Sequence, residues 1–430
     1  MNSTPRWIGA PPSDWAVAPL YATYDVQLGK MLNADAVVGD HLYPYLRNVD
    51  VQWGQINVDD LPTMNFPPAR AERYSLRSGD LLVCEGGEVG RTAIWNGELE
   101  TCFYQKALHR LRPRKGGQLP RYMYYVLYAA AHRGVFEEGG SRSTIIHLTA
   151  EKLRRHRFPN PPTGTQQRIA DFLDRKTGAI DELIAKKERL IELLEEKRQA
   201  LITQAVTKGL DPNVPMKDSD IEWLGQIPAH WEVKRLKHVA DRLSVGIVVT
   251  PAKYYDDSGS VPALRSLNVR AREIVESELV RISEASNLLH SKSMLRAGDI
   301  VAVRTGQPGT AAVIPKHLDR CNCIDLIIVR QAGRFSSEFV CEFMNSEFAH
   351  SQYSQGSGGA IQQHFNVGAA KDLVLPLPPH SEQVLIAERL AEMHRRSDEC
   401  RALLQSQLSK LREYRSALIT AAVTGQLEVA

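Results

Sequence analysis

The stretch from Leu194 to Leu210, LEEKRQALITQAVTKGL, returns 217 residues later from Leu411 to Leu427 as LREYRSALITAAVTGQL. The match runs upstream without a gap: Pro159, Pro161, Pro162 and Gln166 have counterparts in Pro376, Pro378, Pro379 and Gln383. Residues 158–210 and 375–427 are identical at 21 of 53 aligned positions, too many for chance in an ungapped match, so the chain carries an internal duplication. Solenoid repeats recur every 20–50 residues or so. A period this long predicts instead a two-part unit used twice, a globular domain followed by a long helix.

The globular parts share an entry. Trp7, Gly9, Pro12, Trp15, Val17 and Leu20 reappear at a constant offset of 216 as Trp223, Gly225, Pro228, Trp231, Val233 and Leu236. Each unit opens on an aromatic–proline brace and closes on a proline-rich exit, FPNPP or LPLPP. In between, Leu76–Val83 parallels Leu295–Ala302, and Gly87-x-x-Gly90 parallels Gly306-x-x-Gly309. Apolar β-branched runs broken by glycine turns predict strands and hairpins. Tyr122–Ala131 and Phe339–Phe348 read as helices, which makes each unit α+β. The boundaries are 1–157 and 223–375 for the globular domains. A central spacer and linker takes 158–222 (helix 166–208), and a C-terminal spacer takes 376–430 (helix 382–424).

The first long helix opens with a capping-box pattern, Thr163-x-x-Gln166, and stops at Gly209; the second stops near Gly425. A heptad seam predicts helix-pairing and partner-docking positions at Leu173, Ile180, Leu194 and Leu201, and at Leu390, Leu404, Leu411 and Leu418. Forty residues at 1.5 Å each give a rod of roughly 60 Å, longer than a globular domain needs internally. Because one chain carries both copies in phase, they can pair within it. The expected architecture is two globular domains separated by an intramolecular antiparallel coiled coil, related by a pseudo-twofold axis.

Composition constrains the setting more than the chemistry. Hydrophobic content of 43% and charged content of 24% are ordinary for a soluble protein. No apolar run approaches the ~18 residues that span a bilayer. The opening residues lack the basic and apolar regions of a signal peptide. Six scattered cysteines fit a reducing compartment, so the cytoplasm is expected. Net charge is only +3, but it is unevenly spread: residues 1–105 hold 7 basic and 13 acidic side chains, residues 106–157 hold 12 and 3. Such asymmetry suits a phosphate-facing surface, and equally a solvated basic face with no partner.

The alternation of two variable α+β units with two near-identical helical regions, each introduced by PxPP-x3-Gln and ending in ALIT-x-AVT, resembles the specificity subunit of type I restriction-modification enzymes. The likeness covers the whole chain. It implies that the globular units are target-recognition domains, each reading one half of a split sequence in double-stranded DNA, and that the helices serve as ruler and docking surface. It also implies two methyltransferase subunits and motor-nuclease subunits as partners. S-adenosylmethionine and ATP would belong to those partners, with no cofactor in this chain. The alternative from another class is an assembly scaffold whose helices and globular units bind proteins rather than DNA.

The residues themselves offer no catalytic set. Asn160-Pro-Pro-Thr163 is close to the (N/D)PP(Y/F/W) signature of amino-methyltransferases. Thr163, however, stands where the aromatic belongs, and the repeat offers Leu377-Pro-Pro-His380, so the prolines read as a rigid exit. There is no G-x4-GK[ST] phosphate loop. His317, Cys321 and Cys323 lack a fourth zinc ligand and read as buried thiols beside a surface histidine. His147 and His364, at offset 217, read as ordinary histidines. No active site and no metal site are expected.

Sequence readout of DNA uses Arg or Lys on guanine and Asn or Gln on adenine. Candidates are Arg47 and Asn48 in the first unit and Arg265, Asn268 and Arg270 in the matching segment of the second. Arg91 follows one glycine turn and Arg304 precedes the other. Arg142 sits in the flexible Gly139–Ser143 loop, which pairs with Gly356–Gly359. Lys106, Arg110 and Arg112 lie in a basic run with strand-like alternation, better suited to phosphates than to bases.

Overall fold

The computed structural model describes residues 4–32, 38–137, 147–331, 333–355 and 365–429. It divides into two compact units, residues 1–188 with 405–430, and residues 189–404. The divisions fall inside the two long helices, so each unit owns a length of both.

In the first unit β1 (Tyr24–Leu28), β2 (Leu81–Cys84), β3 (Thr92–Ile94) and β4 (Leu108–Pro113) form an antiparallel sheet in the order β1-β4-β2-β3. The helix α1 (Pro120–His132) packs its tyrosines against this sheet. In the second unit β5 (Arg242–Val245), β6 (Ile300–Val303), β7 (Ala311–Val313) and β8 (Leu326–Arg330) repeat that order as β5-β8-β6-β7. Here α3 (Ser337–Met344) takes the place of α1. The apolar runs that predicted strands are buried on both faces, which is why they read as continuous rather than alternating. A smaller three-stranded sheet accompanies each: Leu42–Leu46 with Thr63–Asn65 and Phe103–Tyr104, and Val261–Leu264 with Val280–Ile282 and Asn322–Cys323.

The recurring entry and exit are each other's partners. Ala16–Pro19 pairs antiparallel with Arg157–Asn160, and Glu232–Arg235 with Val374–Leu377. A proline can occupy such two-stranded edges because its missing N–H is not called on there.

The long helices α2 (Thr163–Lys208) and α4 (His380–Val423) begin at the prolines and end at Gly209 and Gly425, both left-handed, as the sequence predicts. The capping box is a misreading. Gln166 is buried, donates from Nε2 to the carbonyl of Pro161 (2.8 Å), and accepts at Oε1 from the backbone N–H of Leu119 (2.8 Å). Gln383 does the same with Pro378 and Ser336, both at 2.8 Å. The glutamine of PxPP-x3-Gln therefore latches the exit to the start of α1 or α3, satisfying groups that the helix cap leaves free.

Within each unit α2 and α4 run antiparallel. In the first, Asp181 accepts from Arg415 (2.7 and 3.1 Å), Glu188 from Arg412 (2.6 Å), and Lys187 donates to Gln407 (2.7 Å). In the second, Arg198 donates to Asp398 (2.9 Å) and to Nδ1 of His394 (3.1 Å). Of the heptad seam, Leu173, Ile180, Leu390 and Leu404 are buried, and Leu194, Leu411 and Leu418 are half-buried. Leu201 departs from it: it is 39% exposed, and the neighbouring Ile202 is buried, as is its repeat Ile419. A straight helix drifts ~20° per heptad against a 3.5-residue seam. Four heptads from Leu173 accumulate about 80°, which one residue's ~100° step restores. The helices follow straight-helix packing onto each unit's core rather than a continuous supercoil. No helix among the described residues is long and apolar enough to cross a membrane.

Candidate nucleic-acid interface

Each four-stranded sheet presents one end assembled from the same three strand termini. In the first unit the chain leaves β1 through Gly29 and Lys30, and Lys30 bridges Gln105 in parallel. The N–H of Lys106 donates to the carbonyl of Lys30 (2.8 Å), and the N–H of Glu85 to that of Ala107 (2.9 Å). The carbonyl of Glu85 accepts from the N–H of Leu148 (2.8 Å). In the second unit Ile247 bridges Ile324, Asp325 donates to the carbonyl of Ile247 (3.1 Å), and Phe365 donates to that of Arg304 (3.0 Å). Thus the exits of β1 and β5, the entries of β4 and β8, and the glycine turns after β2 and β6 lie side by side. One close approach fixes this geometry. A Cβ on Gly29 would stand 2.2 Å from the Gln105 carbonyl oxygen, and one on Gly246 2.5 Å from that of Cys323.

The glycine turns answer to packing first. A Cβ on Gly90 would meet the Phe136 ring at 2.4 Å, and one on Gly309 the Tyr353 ring at 2.0 Å. Room for a phosphate is not what these two positions are selected for.

The candidate readers fall into three groups. Lys106 is exposed at the sheet end. Half-buried Asn48 donates from Nδ2 to the carbonyl of Gly86 (2.8 Å), and Arg91 donates to the carbonyl and Oδ1 of Asn48 (3.0 and 3.1 Å), tying the turn to its neighbour. Arg304 is ion-paired with Asp325 at the equivalent end of the second unit. Lys106, Asn48 and Arg91 thus belong to the sheet end of the first unit, and Arg304 to that of the second.

A second group is committed to the interior. Arg110 is buried, donating to Asp25 (3.1 Å) and to the carbonyls of Arg73 and Ser75. Arg112 grips Asp80 with two hydrogen bonds (2.8 and 2.6 Å). The alternation along β4 does put both on one face, but that face is turned inward. Two cations of the basic run are thereby paired with carboxylates of the acidic segment before it. Asn268 is also a correction: it is fully buried, with Oδ1 accepting from the N–H of Arg265 (3.0 Å) and Nδ2 donating to Val275 and Ser277 (both 3.0 Å). Its counterpart is Asp50, which accepts from the N–H of Arg47 (2.6 Å) and pairs with the Arg47 guanidinium (2.7 Å), not Asn48. Arg265 donates to the carbonyl of Glu278 (2.8 Å).

The third group lies elsewhere. Arg270 is exposed and lines a cleft of about 850 Å³ in the second unit, shared with Arg198, Glu342, His394 and Asp398. Arg142, Gly139–Ser143, Gly356–Gly359 and His364 fall outside the described residues. Of the residues read against zinc, Cys321 and Cys323 are buried, burial pushing the Cys321 thiol up to about 12, and His317 pairs with Glu276 (2.6 Å). Among the described residues no group of three or more His, Cys, Asp or Glu side chains could hold a metal ion.

Residues 12–193 match the type I restriction modification DNA specificity domain. The EcoBI specificity subunit of Escherichia coli is 23% identical over 83% of this chain and 75% of its own length. The EcoKI specificity subunit of Escherichia coli K12 is 22% identical over 97% and 90%. This chain is similar to type I specificity subunits over most of its length. The HsdS subunit from Thermoanaerobacter tengcongensis shares the fold, with a TM-score of 0.59 at 15% identity over 99% of this chain and 100% of that one. A chain from a structure on complex assembly and conformational transition of the type I R-M system superposes with a TM-score of 0.76, also at 15% identity, over 97% and 100%.

Proposed function

We propose that this chain is the DNA-reading, non-catalytic subunit of a type I restriction-modification complex. Each α+β unit reads one half of a bipartite duplex site with its sheet end. The paired lengths of α2 and α4 set the gap and dock two methyltransferase subunits, to which motor-nuclease subunits add. S-adenosylmethionine and ATP serve those partners. The observation that carries this reading is the recurrence of one sheet end in both units with different side chains on it, Glu85 and Lys106 in the first, Arg304 and Asp325 in the second. A repeated scaffold with exchanged side chains is what reading two different half-sites requires. Phosphate contacts give register and salt-sensitive affinity, and base-edge contacts give the sequence.

Co-expression with the methyltransferase subunits, followed by mapping of methylated adenines, tests it. One split motif is expected, and exchange of the first unit for a relative's changes one half of it only. Equal affinity for all duplexes, with partners present, refutes it; a scaffold that binds proteins alone gives that result.

A further inference from the structure

At the sheet end of each unit two large apolar side chains stand in solvent. Met31 and Leu32 are 60% and 48% exposed, and Val248 and Val249 are 46% and 75% exposed. The pairs recur at the duplication offset of 217, although neither residue type is kept. Each pair comes two residues after Gly29 or Gly246, the glycine pressed against the carbonyl of the neighbouring strand, and one after the Lys30 or Ile247 bridge. The chain is therefore held at the root of both pairs. A cation accompanies each: Lys106, bonded through its N–H to the carbonyl of Lys30, and Arg304, paired with Asp325, whose N–H bonds the carbonyl of Ile247.

Exposed apolar side chains are individually unremarkable. Two adjacent ones, in the same place in both units, at the end where the variable side chains gather, are not. If they served only as core, the duplicated folds would bury them. One cation stands beside each pair, Lys106 exposed and Arg304 held by Asp325, which suits a polyanion carrying apolar groups on its edges. Double-stranded DNA is such a partner: its major groove displays the thymine 5-methyl, read by apolar contact rather than by hydrogen bonds.

We infer that Met31–Leu32 and Val248–Val249 are paired apolar readers, each packing against thymine methyl groups in the half-site of its own unit. The inference rests on the proposed DNA-reading function and adds the chemistry of one contact to it. The neighbouring Lys106 and Arg304 anchor the backbone phosphates on either side, so the apolar pair is brought to the groove without itself contributing charge.

The test uses the full chain with its methyltransferase subunits and duplexes bearing the mapped site, with thymines replaced one at a time by deoxyuridine. That change removes the methyl and leaves base pairing intact. At least one replacement in each half-site is expected to weaken binding about fourfold, the size of one buried methyl group. The M31A/L32A chain should lose that sensitivity in one half-site only, and V248A/V249A in the other only, with unchanged thermal melts. Deoxyuridine duplexes that bind as tightly as thymine duplexes throughout overturn the inference, as does sensitivity that survives in both variants. Sequence-specific binding without methyl dependence sinks this contact alone; loss of sequence dependence altogether sinks the DNA-reading function as well.

Discussion

Arg198 on α2 is the most exacting place to test how the second unit holds its helices. Its side chain is 7% exposed, and its Nε donates to Nδ1 of His394 while Nη1 donates to Asp398. His394 in turn donates from Nε2 to the buried carboxylate of Glu342 on α3 (2.9 Å), so the imidazole carries its proton on Nε2 and accepts at Nδ1. Two parts of this arrangement differ in worth. The Asp398 carboxylate is 54% exposed, and an exposed ion pair contributes about 0–1 kcal/mol. The His394 contact is buried, and removing Arg198 strands an acceptor, at about 1–3 kcal/mol, besides losing buried methylenes. Arg198→Ala should therefore cost about 3 kcal/mol, and Asp398→Ala under about 1 kcal/mol. In urea the unit's transition should move down by roughly 1 M for R198A and barely for D398A, taking m near 3 kcal/mol per molar. The duplication supplies a control. Arg415, at offset 217 from Arg198, makes the same carboxylate contact to Asp181, lies 5.0 Å from the centre of the Tyr128 ring, and has Thr177 where the second unit has His394. R415A should cost about 1–2 kcal/mol, between the other two, because it loses a cation–π contact and an ion pair but no buried histidine contact. Equal costs for R198A and D398A would refute the reasoning, since the buried histidine contact would then be worth nothing.

Three further outcomes follow from the packing. His109 is buried, donating from Nε2 to the Leu148 carbonyl (2.6 Å) with Nδ1 unpartnered, and burial lowers its pKa from 6.5 to about 4. Its folded form binds fewer protons than the unfolded chain below pH 6.5, so stability is full above 6.5 and declines towards pH 4, by about 2 kcal/mol at pH 5; denaturant titrations of the first unit at pH 7.5 and 5, with H109Q flattening the difference, measure this. Burial pushes the thiols of Cys84 and Cys102 up to about 11 and about 12, and Cys400 alone of the six cysteines is exposed. A native chain should thus give one rapid equivalent with a thiol reagent, and the denatured chain all six. Gly425→Ala places a Cβ 2.3 Å from Cδ of Pro12 at a left-handed position (φ +73°), and should lower the first unit's stability by about 2 kcal/mol or more, read as a drop in its melting temperature.

Duplication, element types and the ends of the long helices were legible because they rest on local chemistry: a repeated pattern, apolar runs, prolines and left-handed glycines. The pairing of α2 with α4 inside each unit was legible too, since equal spacing and phase in one chain make the partners available to each other. Contact direction was not. Arg110 and Arg112 have the same sequence pattern whether β4 turns them to solvent or towards Asp25 and Asp80, and only the neighbouring strands decide. Asn268 and Asp50 look unlike in sequence yet fix the same turn, because either can accept a backbone hydrogen bond. Gln166 passed for a cap, since a glutamine three residues into a helix has several reachable partners and the tertiary fold supplied the buried N–H of Leu119.

What the linear chain settled by itself was therefore the plan, two α+β units and two long helices in tandem. The tertiary structure decided which charges face inward, where the seam drifts from Leu201 to Ile202, and which side chains gather at the sheet ends. Those choices depend on residues far apart in sequence competing for the same space and the same hydrogen bonds, and no local pattern encodes the outcome of that competition.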